Sequence, residues 1–354
     1  MTQLLMRWTS LAVVLSVGSW LGCGADAVDH VPGADAGSDT TALAPCRAPS
    51  TATALVSTFI TGAAISGDQI LFVDDALEAI PFSGGTMQTI ATGGEDMRGL
   101  TVVGDAAYFT SEHPVGDPDP NGKQSSDQAL YAASISTGDV TMVADSFSSS
   151  ASLSDDTSAY FAGVGFGSVL EFTPPSTTPT MIDAGKLETN AFAARNDDLY
   201  VAGIDYGAGN GMAGLIVRVS KNGGAATMLL HLVGLPLDVA VDDHSIYWIE
   251  EAPYGTFGTG RIARADLDGK NEKTLAMVSA AELVLDHDSV YFLSDSLNRI
   301  PKAGGAIEVV ASGLEGAAFL QISGSDAIWI NLENRALSET RPMTLTTMCL
   351  HAAP

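Results

Sequence analysis

The chain repeats itself, and this repetition limits its possible folds more than any other feature of the sequence. Residues 65–92, 241–277 and 286–312 share one order: an apolar strand, an Asp/Gly turn, an aromatic strand, a third strand, a Gly-containing turn and a short strand. The aromatic landmarks of the second strands are Phe72, Tyr108, Tyr160, Tyr200, Tyr247, Tyr291 and Trp329. Their spacings of 36, 52, 40, 47, 44 and 38 residues indicate seven units of one supersecondary type.

Seven four-stranded units of this length predict an all-β fold, a seven-bladed β-propeller. The segment 289–292, Ser-Val-Tyr-Phe, is β-branched and aromatic, as expected of a strand buried between blades. The 37 glycines and 15 prolines supply many turns, and 46% hydrophobic residues are enough for a large core.

The two ends of the repeat region complement each other. Residues 52–59 resemble the outermost strand of a blade, but no first three strands precede them. The seventh unit, 317–339, has three clear strands and a vague fourth. We therefore expect the N- and C-terminal strands to close one blade of a domain at 46–350, which would remove two exposed edges. Closure would bring Cys46 and Cys349 together as a disulfide in an oxidising compartment, with two free buried thiols as the alternative.

The N-terminus predicts export. Residues 1–22 combine a basic start at Arg7 with an apolar run that is shorter than the roughly 20 residues of a spanning helix. Leu21-Gly22-Cys23 resembles the lipobox of bacterial lipoproteins, which implies a lipid anchor on Cys23 in the cell envelope, in particular at the outer membrane, on its periplasmic side or at the cell surface. Release by signal peptidase and an uncleaved helix are the alternatives. Residues 23–45, rich in Ala, Asp and Gly, predict a disordered acidic tether.

The repeat also resembles known propellers. Residues 247–250, Tyr-Trp-Ile-Glu, resemble the Tyr-Trp-Thr-Asp signature of low-density-lipoprotein-receptor-type propellers, and the Lys-x-Gly-Gly turns at 221–224 and 302–305 resemble uncharacterised propeller lipoproteins of Gram-negative bacteria. The resemblance, which extends to NHL and TolB-like repeats, covers roughly residues 50–345 and implies a propeller. The receptor-type propellers have six blades where this chain has seven units, so their partner-binding role does not transfer automatically.

The charge balance of the chain excludes some classes of binding partner. The chain has 42 acidic and 16 basic residues, a formal net charge of −26. This acidity argues against binding of nucleic acid, or of an anionic membrane surface, through charge. We expect a monomer whose membrane contact is the lipid anchor.

The length of the units varies mainly in one place. From the landmark to the following Gly turn, or its equivalent, the units take 12, 30, 15, 23, 22, 13 and 11 residues, whereas the remainder stays between 22 and 25. The longest loops, 111–128, 204–213 and 251–260, would share a face with the connections between blades. Loops on a rigid scaffold are the usual place for binding residues, so a binding mouth is predicted there, with neutral drift as the alternative.

Acidic side chains are expected around this mouth. With one tyrosine they form the candidate ligand-binding face: Glu95, Asp96, Glu188, Asp238, Glu250, Glu251, Tyr254 and Glu282. Together they would attract a cationic, metal-bridged or hydroxyl-rich ligand by focusing the field. Separately, each would be a solvated surface charge.

One loop contains a partial calcium motif. Asp117, Asp119 and Asn121, followed by Gly122, match the start of a calcium-binding loop. Gln128 stands where the bidentate Glu of that motif belongs, so a Pro/Asp turn without an ion is the alternative. No other cofactor is expected.

Two classes of function remain. The first is a membrane-anchored binding or scaffold module whose partner is a cell-envelope protein or a carbohydrate. The alternative is an extracytoplasmic enzyme, a metal-assisted lyase or hydrolase with its site at the channel mouth. The sequence has no G-x-S-x-G, H-E-x-x-H, P-loop or C-x-x-C motif that would name a reaction.

Overall fold

The computed structural model describes residues 46–92, 95–115, 125–145, 147, 149, 151–162, 167–207, 213–252, 259–314, 316–332 and 343–350. These residues form 28 β-strands and no helix. Within them, accordingly, no helix is long and apolar enough to cross a membrane. The predicted signal peptide and tether lie outside the described residues.

The first four blades follow each other along the chain. Blade one contains β2 (Gly62–Ser66), β3 (Gln69–Val73), β4 (Ala76–Pro81) and β5 (Gln88–Thr92). Blade two contains β6 (Glu95–Val103), β7 (Ala106–Val115), β8 (Ser125–Ser134) and β9 (Val140–Ala144). Blade three contains β10 (Ser152–Ser154), β11 (Ala159–Ala162), β12 (Ser168–Phe172) and β13 (Thr180–Asp183). Blade four contains β14 (Glu188–Arg195), β15 (Asp198–Asp205), β16 (Ala213–Ser220) and β17 (Thr227–Leu232).

The last three blades complete the ring. Blade five contains β18 (Pro236–Val241), β19 (Ser245–Glu250), β20 (Arg261–Asp266) and β21 (Lys273–Met277). Blade six contains β22 (Glu282–Leu285), β23 (Ser289–Leu293), β24 (Ser296–Pro301) and β25 (Glu308–Ser312). Blade seven contains β26 (Ala318–Ser323), β27 (Asp326–Leu332), β28 (Met343–Cys349) and, from the other end of the chain, β1 (Thr53–Thr58).

Each blade is a four-stranded antiparallel sheet, and the seventh closes the ring. Its strand order is β26, β27, β28 and then β1. The register pairs Thr53 with Thr347 and Thr58 with Met343, so the first strand of the chain is the outermost strand of the last blade. The seven-bladed propeller and its closure by the terminal strands are confirmed.

The third strand of blade seven corrects the sequence interpretation, which ended the seventh unit at residue 339. The strand is β28, and its last residue, Cys349, lies 20 residues after Trp329. Its sequence, Met-Thr-Leu-Thr-Thr-Met-Cys, is rich in threonine, which lowers its hydropathy although β-branched residues favour strands. Blade seven therefore also has a long connection between its second and third strands, at 333–342, outside the described residues.

Antiparallel pairing gives the ring two distinct faces. The connections between second and third strands and those between blades lie on one face, here called the loop face. The turns between first and second strands and between third and fourth strands lie on the other, here called the turn face. Three first-to-second turns on the turn face have glycines with φ of 56° to 59°, Gly67, Gly104 and Gly324, a conformation that tight hairpins require.

The core lies between neighbouring blades. All seven aromatic landmarks are buried, each in the second strand of its blade. In β19, Trp248 packs with Ala202 and Ile216 of blade four, whereas the adjacent Tyr247 packs with Phe292 of blade six. Both faces of each sheet are therefore covered, which is why the second strands read as continuous apolar runs.

Candidate functional site

Two buried acids join the first strands of blades five, six and seven. Asp238 of β18 is fully buried, and its Oδ2 accepts a hydrogen bond of 2.7 Å from the backbone N–H of Leu283 in β22. Glu282, at the start of β22, accepts hydrogen bonds of 3.0 and 2.7 Å from the backbone N–H groups of Phe319 and Leu320 in blade seven. Each acid thus binds the next blade, one step further around the ring.

Gln321 of β26 makes the corresponding contact between blade seven and blade one. Its Oε1 accepts a hydrogen bond of 3.0 Å from the N–H of Ile65, and its Nε2 donates one of 3.0 Å to the carbonyl of Ala63. Both partners lie in β2, so the amide joins blade seven to blade one. The polar side chains of the first strands therefore hold four consecutive blades together around the central channel.

The environment of Glu282 favours its neutral form. Burial, with a smaller contribution from the charge of Asp238, raises the pKa of this carboxyl to about 8, although the two backbone hydrogen bonds by themselves would lower it. The carboxyl is therefore mostly protonated at neutral pH.

Glu250 is also buried, at the end of the second strand of blade five. Its Oε1 accepts a hydrogen bond from Nε of Arg261, whose other nitrogens donate to Glu272 at 2.6 Å and to Thr274 at 3.0 Å. Its Oε2 is buried without a hydrogen-bond partner. A buried carboxylate oxygen in this state is costly unless a nearby cation compensates, and Arg261 supplies that charge.

The remaining predicted residues fall into two groups. Glu188 and Glu251 are exposed at the loop face, and Glu188 accepts a hydrogen bond from Tyr206, which raises the pKa of the tyrosine. Glu95 and Asp96 begin β6 at the same face. Tyr254 lies outside the described residues. The structure therefore places Glu188 and Glu251 on the surface of this face and buries Asp238, Glu250 and Glu282. That this face binds a ligand stays a prediction.

The lipidation and calcium predictions concern parts of the chain outside the described residues. This is true of Cys23 and of Asp117, Asp119 and Asn121. Within the described part, no group of three or more His, Cys, Asp or Glu side chains could hold a metal ion. The calcium site and the expectation of no other cofactor stay predictions.

The predicted disulfide is present on the turn face. Cys46 and Cys349 are bonded, with Cα atoms 5.6 Å apart and a sequence separation of 303 residues. The sequence did not reveal the ion pair beside it. Asp326, 2% exposed, accepts hydrogen bonds from the backbone N–H and the Nε of Arg47 and from the N–H of Ala48. We call the disulfide and these contacts of Asp326 the N-terminal latch.

Arg47 also reaches blade one. Its guanidinium carbon lies 4.2 Å from the centre of the Phe82 ring and its Nη1 donates to the carbonyl of Gly67, while Nη2 donates to Ser323 Oγ of blade seven at 3.0 Å. One side chain therefore bridges both sides of the closure. Its position directly after Cys46 is the only signal for this role in the sequence.

A repeated clamp lies on the same face, and it explains the Lys-x-Gly-Gly turns. Lys221 of blade four donates a hydrogen bond of 2.7 Å to Asp155 of blade three, with its Nζ 5.5 Å from the centre of the Tyr160 ring. Burial by itself would raise the pKa of Asp155, but hydrogen bonds from Lys221, Thr157, Ser158 and Tyr160 lower it to about 2. The arrangement stabilises the contact between the two blades.

The same clamp occurs between blades five and six. Nζ of Lys302 lies 2.9 Å from a carboxylate oxygen of Asp242 and 5.8 Å from the centre of the Tyr247 ring. His244, in the turn after Asp242, is exposed, and so is His287 in the equivalent turn of blade six. The lysine turns are thus blade-to-blade contacts.

The structure also has a cavity at the turn-face end of the channel. Its volume is about 340 Å³, and it is lined by the ends of the first strands of blades one, two, three and seven. Its polar lining includes Ser66, Thr101, Ser154, Asp156 and Gln321. The pocket predicted at the opposite mouth depends on loops outside the described residues and stays a prediction.

These sheets and contacts define a closed seven-bladed β-propeller. No protein-family model and no curated protein matches the chain. Solved structures match in fold. The β-propeller domain of the Trilobed protease from Pyrococcus furiosus, which has an open velcro topology, is 11% identical over 84% of this chain and 97% of that one, with a TM-score of 0.57.

Two further structures support the same class. Prolyl endopeptidase is 15% identical over 77% of this chain and 46% of its own, with a TM-score of 0.55. The computationally designed Ika8 protein is 11% identical over 84% of this chain and 99% of its own, with a TM-score of 0.50. At these identities the likeness extends to the fold alone.

Proposed function

We propose that this protein is a binding or scaffold module of the cell envelope. Lipid on Cys23 would hold it at a membrane, and its loop face would engage a cell-envelope protein or a carbohydrate. The observation that carries the proposal is the N-terminal latch, because Cys46 and Arg47 are fixed to the turn face.

The latch gives the domain an orientation relative to a tether that precedes Cys46. Such a tether joins the turn face, and β1 then runs from there to the loop face. A flexible coil of 22 residues spans about 25 Å, which separates the domain from a membrane surface without constraining its partner. The loop face would point away from the anchor.

Connection lengths support the choice of the loop face. Its second-to-third connections range from two residues, at 74–75 and 294–295, to ten residues, at 251–260 and 333–342. On the turn face, first-to-second turns take two to four residues and third-to-fourth turns five to seven. Loop closure penalises growth only weakly on either face, so confinement of the long connections to one face is the pattern expected of a binding surface.

In-cell photo-crosslinking tests the proposal. A photo-crosslinking amino acid is placed in the full chain at Asp295, exposed on the loop face, or at Asp268, exposed on the turn face. Envelope adducts are expected from position 295, and a Cys23→Ser variant should lose both the membrane fraction and these adducts. Adducts from position 268 alone, or from neither position, would contradict the proposal.

The alternative, a metal-assisted lyase or hydrolase, has no observation among the described residues in its favour. Assays of the purified protein on lactones and glycan fragments, with and without chelator, test it directly. Chelator-sensitive turnover would favour the enzyme over the binding module.

A further inference from the structure

Large apolar side chains are exposed on the loop face of two neighbouring blades. Val233, directly after β17, is 70% exposed, Met277 at the end of β21 is 64% exposed, and Tyr206 directly after β15 is 49% exposed. The first and third of these belong to blade four and Met277 to blade five. Exposed apolar side chains that cluster in this way mark interaction sites more often than isolated ones do.

We call Tyr206, Val233 and Met277 the apolar band, and backbone contacts join the segments that carry Val233 and Met277 through the second-to-third connection of blade five. A Cβ atom on Gly234, next to Val233, would lie 1.7 Å from the carbonyl oxygen of Glu251, so the connection from blade four rests on blade five. A Cβ on Gly260 would lie 2.5 Å from the carbonyl of Glu250 and 3.4 Å from that of Val278, the neighbour of Met277.

The charge around this band is negative. Glu188 and Glu251 are exposed and Asp205 is half-buried at the loop-face ends of their strands. The guanidinium of Arg261 is occupied by Glu250 and Glu272.

The basic residues of the described part of the chain lie mostly on the other side. Nine of its twelve Lys and Arg residues are in the turn-face half: Arg47, Arg195, Arg218, Lys221, Arg264, Lys270, Lys273, Arg299 and Lys302. Several of them pair with acids there, as in the two lysine clamps. The three basic residues in the loop-face half of the described chain are Arg98, Lys186 and Arg261. Lys186 is exposed two residues before Glu188, and Arg261 is paired with Glu250 and Glu272, so acids outnumber free bases beside the apolar band.

We infer that the loop face of blades four and five, the band of Tyr206, Val233 and Met277 with Glu188 and Glu251, docks a basic polypeptide segment that carries apolar side chains. This inference rests on the proposed function and names its partner by chemistry. Lysine or arginine side chains of the segment would face the acids, and its apolar side chains would cover the band, which an uncharged carbohydrate would not match in charge.

Defined peptides test the inference on the purified full-length protein. The probe is a labelled eight-residue peptide of alternating lysine and leucine, and the controls are the same peptide with glutamate in place of lysine and a neutral oligosaccharide. Fluorescence anisotropy should show binding of the basic peptide at least tenfold tighter than either control, weakening as salt is raised.

Matched variants locate the contact. Val233→Ser with Met277→Ser should weaken binding of the basic peptide at least tenfold, and Glu188→Gln with Glu251→Gln should weaken it about fivefold and flatten its salt dependence. The control pair, Met181→Ser with Met228→Ser, removes side chains that are 70% and 58% exposed on the outermost strands of blades three and four, and should bind as the wild type does.

Three results would overturn the inference: no preference for the basic peptide, an equal loss in the control pair, or tighter binding of the oligosaccharide. If crosslinks from position 295 persist in any of these cases, only the partner chemistry fails and the proposed function stands. If the crosslinks are absent while the peptide binds as described, the proposed function fails and the partner chemistry stands.

Discussion

At the scale of single residues, the acids of this protein act according to their burial. Asp238 and Glu282 lie in the first strands of their blades, and each accepts hydrogen bonds from backbone N–H groups, of which at least one belongs to the next blade. On the turn face, Asp155 accepts hydrogen bonds from a lysine, a tyrosine and two backbone N–H groups. Burial raises the pKa of Glu282, whereas hydrogen bonds lower the pKa of Asp155, and each direction has a consequence for stability.

Glu282 should make the protein less stable at alkaline pH. Its pKa in the folded protein, about 8, lies above the ordinary value of 4.5, so its contribution is fully present below pH 4.5 and is lost as pH rises through 8. Between pH 5 and pH 9 we expect this residue to lower the free energy of unfolding by on the order of 2–4 kcal/mol.

Denaturant titrations of wild type and Glu282→Gln over this range measure the effect. The variant, which resembles the neutral acid, should show a flatter dependence on pH. Parallel curves for the two proteins would show that Glu282 is charged in the folded protein.

Asp155 should have the opposite dependence. Its pKa of about 2 lies below the ordinary value of 3.8, so its contribution is present above pH 3.8 and is lost as pH falls through 2. Lys221→Met should therefore cost on the order of 1 kcal/mol of unfolding free energy at pH 7 and less at pH 2.

Thermal unfolding at the two pH values gives the comparison. Lys302→Met, the equivalent change between blades five and six, should have a similar cost, whereas Lys270→Met, on an exposed pair, should leave the midpoint unchanged. Equal effects of all three substitutions would remove the special role of the clamps.

At the scale of elements, the first and last strands of the chain close the ring. β1 is separated by the whole chain from the strand it pairs with, β28, and the latch fixes the segment that precedes it. In the chain-entropy model, a crosslink over 303 residues stabilises the fold by roughly 5 kcal/mol.

The double variant Cys46→Ser with Cys349→Ser should therefore unfold at a clearly lower denaturant concentration than the oxidised wild type. A reducing agent should lower the wild-type midpoint and leave that of the variant unchanged. Arg47→Met should weaken the same closure with the disulfide intact, because it leaves Asp326 buried without its cation. A wild-type midpoint insensitive to reductant would show that the latch does not limit stability.

At the scale of the whole molecule, the two faces of the described part of the ring differ in their charged residues. The turn face combines acids and bases in ion pairs, and the loop face carries acids with few bases. The two faces also differ in the length of their connections. The N-terminal latch joins the segment that contains Cys46 to the turn face, which has the ion pairs and the short turns. The two faces thus have separate roles in the proposed function.

Lipidation at Cys23 is the prediction that belongs to this scale. Mass spectrometry of the native N-terminal peptide should find a mature chain that begins at a diacylglyceryl-modified Cys23. Cys23→Ser should abolish this modification and leave the protein released or uncleaved. An unmodified terminus at any downstream residue would contradict the anchor.

The sequence by itself determined the architecture, because each blade is a local unit whose strands pair in chain order. The aromatic landmarks gave seven blades, and the unpartnered strand at 52–59 gave the closure and with it the disulfide. Where local hydropathy was weak, as in the threonine-rich β28, the same reasoning misplaced a strand.

The tertiary structure alone decided what the charged residues do. Asp238 and Glu282 look like surface acids in the sequence because their partners are backbone N–H groups of another blade, which carry no sequence signal. The partners of Lys221 and Arg47 are likewise distant along the chain, 66 residues away for Asp155 and 279 for Asp326. Local patterns determine strands, whereas burial and charge pairing depend on which blades become neighbours, and only the closed ring fixes that.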